Sequence, residues 1–236
     1  MRGLMLREIV LDTETTGLNP NGGDRLVEIG CLELRNHVAT GESFHVYLNP
    51  ERDMPEEAFR VHGLSADFLS GHRTFAEEVH AFLDFIGDDP LVIHNASFDM
   101  GFLNAELARL GLPVLAMDRA VDTVRMARKR FPGAAASLDA LCSRFGIDNS
   151  ARTKHGALLD AELLAEVYLE LLGGRQTGLS LQVEEEAGLT AMTGAAPRPP
   201  RPHAASPAEQ AAHLAFLQAK IAEPIWLRGE GAESQG

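Results

Sequence analysis

The stretch Ile9–Gly17, IVLDTETTG, constrains this chain more than any other. An apolar run with the pattern of a buried strand ends in two acids, Asp12 and Glu14. Side chains alternate faces along a strand, so these carboxylates leave the same face one repeat apart. Like charges at that distance raise each other's pKa, and burial adds a desolvation cost. The pair destabilises any fold in which nothing cationic sits beside it. Either that face is wet or it holds a metal ion. A solitary D-x-E at a strand end is ordinarily a solvated pair, so the metal reading requires further acids elsewhere.

Two segments supply them. The apolar run LVIHN (91–95) reads as a short buried strand, and HNASFD (94–99) carries the chain from it into a helix, with Asp99 near one end of the sheet. In HGALLD (155–160), Asp160 lies inside a long helical pattern. Five residues along an ideal helix turn about 500°, which leaves His155 about 140° from Asp160 if both are helical. His155 therefore belongs on the loop before the helix, where Gly156 gives the chain freedom to turn it inward. Asp12, Glu14, Asp99 and Asp160 form an oxygen ligand set that suits Mg2+ or Mn2+. Two such ions about 4 Å apart clamp an in-line phosphoryl displacement. The two cysteines, Cys31 and Cys142, are far apart and in no C-x-x-C pair, so they read as core residues rather than as a disulfide or a zinc site.

The rest of the chain reads as an α/β domain. RLVEIGCLEL (25–34) and ESFHVYL (42–48) alternate apolar and polar residues and read as two strands after the first. Over 74–86, Phe75, Val79, Phe82, Leu83 and Ile86 form one helical stripe, with Thr74 and Glu77 set for a capping box and Gly87 for a stop. A helix from Asp99 to Gly111 comes next. VLAMD (114–118) reads as a fifth strand, SLDALCSRFG as a short helix closed by Gly146, and 156–172 as the last long helix. Strands first and strand–helix units afterwards give a mixed sheet with helices on both faces. That domain spans 1–174. Residues 175–205 are a linker by composition, rich in Ala, Pro and Gly without periodicity. In the tail, 206–236, Ser206, Pro207 and Glu209 start a helix, Leu214, Leu217 and Ile221 share a face, Pro224 stops it and the sole Trp226 follows. A helix this short is marginal alone in water, so it needs a surface to dock on.

Net charge is −13, and the acid is concentrated: residues 1–172 carry 16 Lys and Arg against 27 Asp and Glu. That balance excludes broad attraction to a polyanion. Nucleic acid would have to be gripped locally, by metal ions or by RMARKR (125–130) and ARTK (151–154). RMARKR reads equally as a solvated helix face. The N-terminal apolar run, broken by Arg7, Glu8 and Asp12, is too short and too charged for a secretory signal or a membrane span. The expectation is a cytoplasmic protein with no membrane partner.

In their order, DTETTG, HNASFD and HGALLD resemble the three motifs of the DEDD (DnaQ-like) 3′–5′ exonucleases. The five-residue spacing from His155 to Asp160 resembles the His-containing subclass; the other subclass would have Tyr where Gly156 stands. FHVYLNP, EEAFRVHGLS, SLDALCSRFGIDNSARTKHGALLDAELLAEVYL and the tail EQAAHLAFLQAKIAEPIWL extend the resemblance, over nearly the full chain, to the epsilon proofreading subunits of bacterial DNA polymerase III. The resemblance implies a ribonuclease-H-like fold, with Asp12, Glu14 and Asp160 as direct ligands of two Mg2+ or Mn2+ ions, Asp99 as a fourth, partly water-mediated acid, and His155 as general base. It also implies that Thr15, Glu57 and His62 lie against the terminal nucleotide of a single-stranded or frayed DNA 3′ end, with Asn95 orienting its loop or touching the substrate.

Taken without the resemblance, Glu57 reads as a solvated helix residue and His62 as a turn residue hydrogen-bonded ahead of Gly63. Phe98 reads as core rather than as a wedge stacked on a base. Leu214, Leu217, Ile221 and Trp226 become, by the resemblance, anchors for the catalytic (alpha) subunit of the polymerase. QTGLSL (176–181) resembles a sliding-clamp-binding peptide through Gln176, Leu179 and Leu181, although Leu181 stands where an aromatic is frequent, and it reads equally as linker. The implied activity is removal of mismatched 3′-terminal nucleotides from DNA as nucleoside monophosphates. Two other readings use the same residues: an exoribonuclease trimming RNA 3′ ends, which differs in how it meets the 2′-OH, and an adaptor bridging polymerase and clamp with a vestigial nuclease. The presence of all four acids and His155 speaks against the vestige.

Overall fold

Ile9, Val10 and Leu11 are wholly buried, because the strand they form is paired along both edges and covered on both faces. The computed structural model describes residues 6–150, 152, 154–174 and 204–220. These fall into two units, one within Met1–Ser180 and one within Leu181–Gly236.

In the first unit, β1 (Arg7–Thr15), β2 (Leu26–Arg35) and β3 (Val38–Tyr47) form an antiparallel meander. Three helices follow: α1 (Glu56–His62), α2 (Ala66–Ser70) and α3 (Phe75–Ile86). Two strand–helix units come next, β4 (Leu91–Ile93) with α4 (Ala96–Arg109) and β5 (Ala120–Asp122) with α5 (Thr123–Arg130). The domain closes with α6 (Leu138–Phe145) and α7 (Ala157–Leu171). The sheet order is β3–β2–β1–β4–β5, with β4 and β5 parallel to β1. This is the mixed, two-sided sheet expected from the order of elements, with a ribonuclease-H-like architecture. Residues 9 and 11 of β1 join Leu91 and Ile93 in a core with α3 and α4, whereas Val10 and Val92 face α6 and α7. Both cysteines are buried and unpaired.

Local chemistry sets the element ends. The capping box at Thr74 and Glu77 forms, and Gly87 closes α3. Gly146, in the left-handed conformation, closes α6. One expectation fails. VLAMD (114–118) is not a strand, because the amide of Leu115 donates to Asn104 Oδ1 at 2.7 Å and its carbonyl accepts from Asn104 Nδ2 at 3.0 Å. Those side-chain bonds satisfy the backbone that a ladder would have used. A 3-10 turn at Met117–Arg119 follows, and the fifth strand is Ala120–Asp122, paired with Leu91–Ile93.

In the second unit the described residues form α8 (Pro207–Lys220), whose start is capped by reciprocal bonds between Ser206 and Glu209. Leu217 is buried within the chain, whereas Leu214 and Phe216 are exposed. Gln176, Leu179, Leu181, Ile221 and Trp226 lie outside the described residues, as does the expected linker up to residue 203. Among the described residues, no helix is long and apolar enough to cross a membrane.

Candidate active site

The four acids converge at the carboxyl ends of β1 and β4. Asp12 and Glu14 leave β1 on the face covered by α7, as strand alternation requires. What brings α7 to them is a glycine. Asp12 stands opposite Gly30 in the β1–β2 register, and a Cβ on Gly30 would lie 2.4 Å from the backbone of Ala157 and Leu158. The first turn of α7 therefore rests directly on the sheet, and Asp160 in that turn is carried to the carboxylates. Asp99 arrives from the first turn of α4, on the other face, and accepts a hydrogen bond from Thr13 Oγ1 at 2.7 Å. Thr13 points to that side because it alternates with Asp12 and Glu14.

Glu14, Asp99 and Asp160 are buried, and their charges oppose one another. Burial, followed by Asp99, Glu14 and Asp160, pushes the pKa of Asp12 well up. Burial, followed by Asp160 and Glu28, pushes Glu14 up to about 8. Burial pushes Asp99 up to about 7, against the hydrogen bond from Thr13. Glu28 is a fifth acid at this site: it lies opposite Glu14 on β2, is buried, and bonds His45 Nε2 at 2.7 Å.

The compensating cation is Arg152. Its Nε donates to Asp160 Oδ1 at 2.5 Å and its Nη2 to Asp160 Oδ2 at 2.7 Å. Nη1 reaches Asp139 Oδ1 at 2.8 Å. Nη2 also lies 2.8 Å from His155 Nδ1. Guanidinium only donates, so that Nδ1 is an acceptor. His155 sits on the loop ahead of α7, as the helical geometry requires. Its Nδ1 is 3.3 Å from Asp160 Oδ2, and the side chain is about half exposed, 48%. The loop is held against α1 by the His155 amide, which donates to the Val61 carbonyl at 3.2 Å, and by Lys154 over the Phe59 ring.

Ligand atoms of Glu14, His155 and Asp160 all lie within 4.8 Å of one another. The donors are mainly hard carboxylate oxygens, the acids repel without positive charge, and a cationic side chain already reaches Asp160. On these grounds the residues fit divalent metal ions.

A second depression adjoins the first and shares Glu14 and Phe98 with it. Thr15, Glu57 and His62 line it together. Glu57 is exposed, and Thr15 is buried with its hydroxyl donating to the Gly17 carbonyl at 2.6 Å. His62 is buried. Its Nδ1 accepts from the Leu64 amide at 3.0 Å, so Nε2 carries the proton, and that Nε2 has no partner among the described residues. Burial holds its pKa below the usual value. The turn bond ahead of Gly63 and an unpaired donor are thus two ends of one ring. Phe98 packs on Phe102 with ring centroids 5.0 Å apart, joins the core, and also walls both depressions. Asn95, in the left-handed conformation at φ 69°, lines neither; it belongs to a third groove. Arg152, Glu28, Thr13 and Gly30 escaped the sequence reading. Arg152 was visible only as part of a basic run, and Gly30 becomes informative only once the strand register is known.

The exonuclease family RNase_T matches residues 9–168. Among curated proteins, the DNA polymerase III subunit epsilon of Rickettsia felis is 55% identical over 179 residues, covering 75% of this chain and 78% of that protein. The epsilon subunit of Escherichia coli K12 is 49% identical over 193 residues, covering 79% of each. Among solved structures, the nuclease domain of 3′hExo, a DEDDh family member bound to rAMP, superposes with a TM-score of 0.63 over 73% of this chain and 94% of that one. At 17% identity it speaks for the fold alone.

Proposed function

This chain belongs to the exonuclease family of DNA polymerase III epsilon subunits, and from that premise we propose how its residues carry out 3′–5′ proofreading hydrolysis. The observation that carries the reading is the convergence of Asp12, Glu14, Asp99 and Asp160 from three separate elements, with His155 at the rim. We assign Asp12, Glu14 and Asp160 as direct ligands of two Mg2+ or Mn2+ ions and Asp99 as the fourth, partly through water. Bound there, such ions polarise the scissile phosphate and lower the pKa of the attacking water.

The rest falls to the chain's own groups. With Arg152 withdrawn from it, His155 takes the proton from the water that attacks phosphorus on the ring nitrogen left free. The P–O3′ bond breaks, the departing 3′-oxygen acquires a proton from solvent, and a nucleoside 5′-monophosphate is freed. Glu57, Thr15 and the Nε2–H of His62 hold the terminal nucleotide in the second depression, and Phe98 closes its wall. Selection of errors needs no base reading: a mismatched end frays at least cost, so a site that takes only single strand meets mismatches more often. We place the polymerase catalytic subunit on the tail, through the region of Leu214, Leu217, Ile221 and Trp226, and the sliding clamp on Gln176, Leu179 and Leu181. The composition of the linker and the capped helix of the tail support that arrangement, in a replisome at the chromosome in the cytoplasm.

The test is incubation of the purified chain with 5′-labelled single-stranded DNA and RNA in Mg2+ or Mn2+, with Asp12→Ala as control. Stepwise shortening of DNA from its 3′ end, absent in the control, is expected. Preferential shortening of RNA would transfer the site to RNA trimming, and no shortening of either would leave only the adaptor.

A further inference from the structure

Three depressions lie in series along the face that carries the acids. The carboxylate site is the middle one. It shares Glu14 and Phe98 with the depression of Thr15, Glu57 and His62, and it shares His94 and Ser137 with a third groove of about 640 Å3. The outer two have no lining residue in common. An exonuclease that cuts one nucleotide at a time must hold the terminal nucleotide on one side of the scissile phosphate and the continuing strand on the other. With the terminal nucleotide in the second depression, the strand leaves through the third.

The chemistry of the third groove fits that use. Its walls are the first turns of α5, the segment 134–137 and the start of α4. In a chain of net charge −13, α5 reads TVRMARKR, with four basic residues and no acid. Arg130 is tied to the α7 carbonyl of Leu171 at 2.8 Å. Arg125 and Arg128 are exposed, line the groove, and pair with no carboxylate among the described residues. Three residues apart, they share one helical face. The groove's one carboxylate, Asp122, accepts from the amides of Val124 and Arg125 as the cap of α5. Asn95 and Ser97 add neutral polar groups, and Ala134, Ala135 and Ala136 leave room for a backbone. His94 at the shared edge bonds Thr123 Oγ1 at 2.9 Å.

We propose that this groove is the track of the DNA strand upstream of the cut, with Arg125 and Arg128 meeting its phosphates. The proposal rests on the exonuclease reading and adds the direction of the strand across the site. It gives the basic run of α5, which the catalytic residues leave unexplained, a ligand of matching charge. Guanidinium forks suit phosphate oxygens, and such contacts position a strand without reading its sequence.

The test measures kcat/KM of the full chain, with Mn2+, on 5′-labelled oligothymidylates of two to eight nucleotides at several salt concentrations. In the wild type, kcat/KM should climb as upstream phosphates are added and fall with salt. Arg125→Glu with Arg128→Glu should lose most of that climb, so the ratio of wild type to variant grows with length to about tenfold or more. The salt slope should shrink by about 1.4, from about 0.7 per phosphate contact on single strands. Arg125→Gln with Arg128→Gln, which only removes charge, should fall between. Far-ultraviolet circular dichroism checks that each variant is folded. If wild type and both variants climb alike with length and salt, the exonuclease reading stands and the track is wrong. An equal loss at every length also overturns it. If the wild type itself shortens no strand, the exonuclease reading fails and the track with it.

Discussion

Replacing Arg152 with Ala should destabilise the fold when divalent cations are removed and should do little when they are supplied. Arg152 makes a two-point bond to buried Asp160, at 2.5 and 2.7 Å. Taking one partner from a buried ion pair leaves the other charged and uncompensated, which typically costs about 3–5 kcal/mol. A second estimate agrees. Ligand atoms of Glu14 and Asp160 lie within 4.8 Å, and two like charges at that separation repel by about 3.5 kcal/mol at an effective dielectric near 20. Glu14, raised to about 8, already carries a proton near neutral pH, so this repulsion adds only at higher pH, and at neutral pH the lower end of the ion-pair range, about 3 kcal/mol, is expected. For a domain of this size that lowers Tm by about 6–12 °C. The assay is thermal unfolding of wild type and Arg152→Ala in chelator and again in saturating Mn2+, where cations supply the missing charge and the difference should shrink below about 1 kcal/mol. An equal drop in both conditions would show that Arg152 acts by packing alone. No drop in chelator would refute its role as counter-ion.

Gly30→Ala should push the first turn of α7 off the sheet, because the new Cβ would lie 2.4 Å from its backbone; the expected result is a stability loss of about 1–3 kcal/mol with exonuclease activity reduced at least tenfold, and full activity would show that Asp160 does not depend on that contact. Mn2+ affinity should rise with pH by up to about tenfold per unit for each proton displaced until about pH 8, because Glu14 at about 8 and Asp99 at about 7 must lose their protons; calorimetric titration between pH 6 and 9 checks it, and a flat profile would contradict it. In chelator the sign is opposite. Folded-state values raised above 4.5 and 3.8 give stability that is present in full below pH 4 and lost as pH climbs through 7 and 8, so Tm in chelator should fall over that window. A chain ending at Gly174 should keep its activity on short single strands and lose affinity for the polymerase catalytic subunit; affinity equal to that of the full chain would move that interface onto the exonuclease domain.

The acids were legible in the sequence because each stands at a position that local geometry fixes. Strand alternation puts Asp12 and Glu14 on one face, and helical rotation forces His155 onto the loop before α7. The capping box at Thr74 and the stop at Gly146 are equally local. The fifth strand was misplaced because Asn104, eleven residues upstream in sequence from Leu115, satisfies the backbone there, a tertiary bond that no periodicity announces. Arg152 and Glu28 were missed for the same reason. Their importance lies in what they face across the fold: Asp160 for the arginine and Glu14 for the glutamate. Asn95, grouped by motif with the substrate residues, proves to line a different groove from Glu57 and His62.

Asp12, Glu14, Asp99 and Asp160 are proposed to hold two divalent cations beside the carboxylate of Asp160 that Arg152 now holds. A crystal structure grown with Mn2+ and a nucleoside 5′-monophosphate, read by anomalous scattering at the manganese edge, decides whether they do. Two peaks about 4 Å apart are expected, with oxygens of Asp12, Glu14 and Asp160 about 2.1 Å from manganese, Arg152 withdrawn from Asp160, and the base beside Phe98 and His62. Manganese bound elsewhere, or Asp160 still held by Arg152 with no cation against it, would contradict the two-cation site.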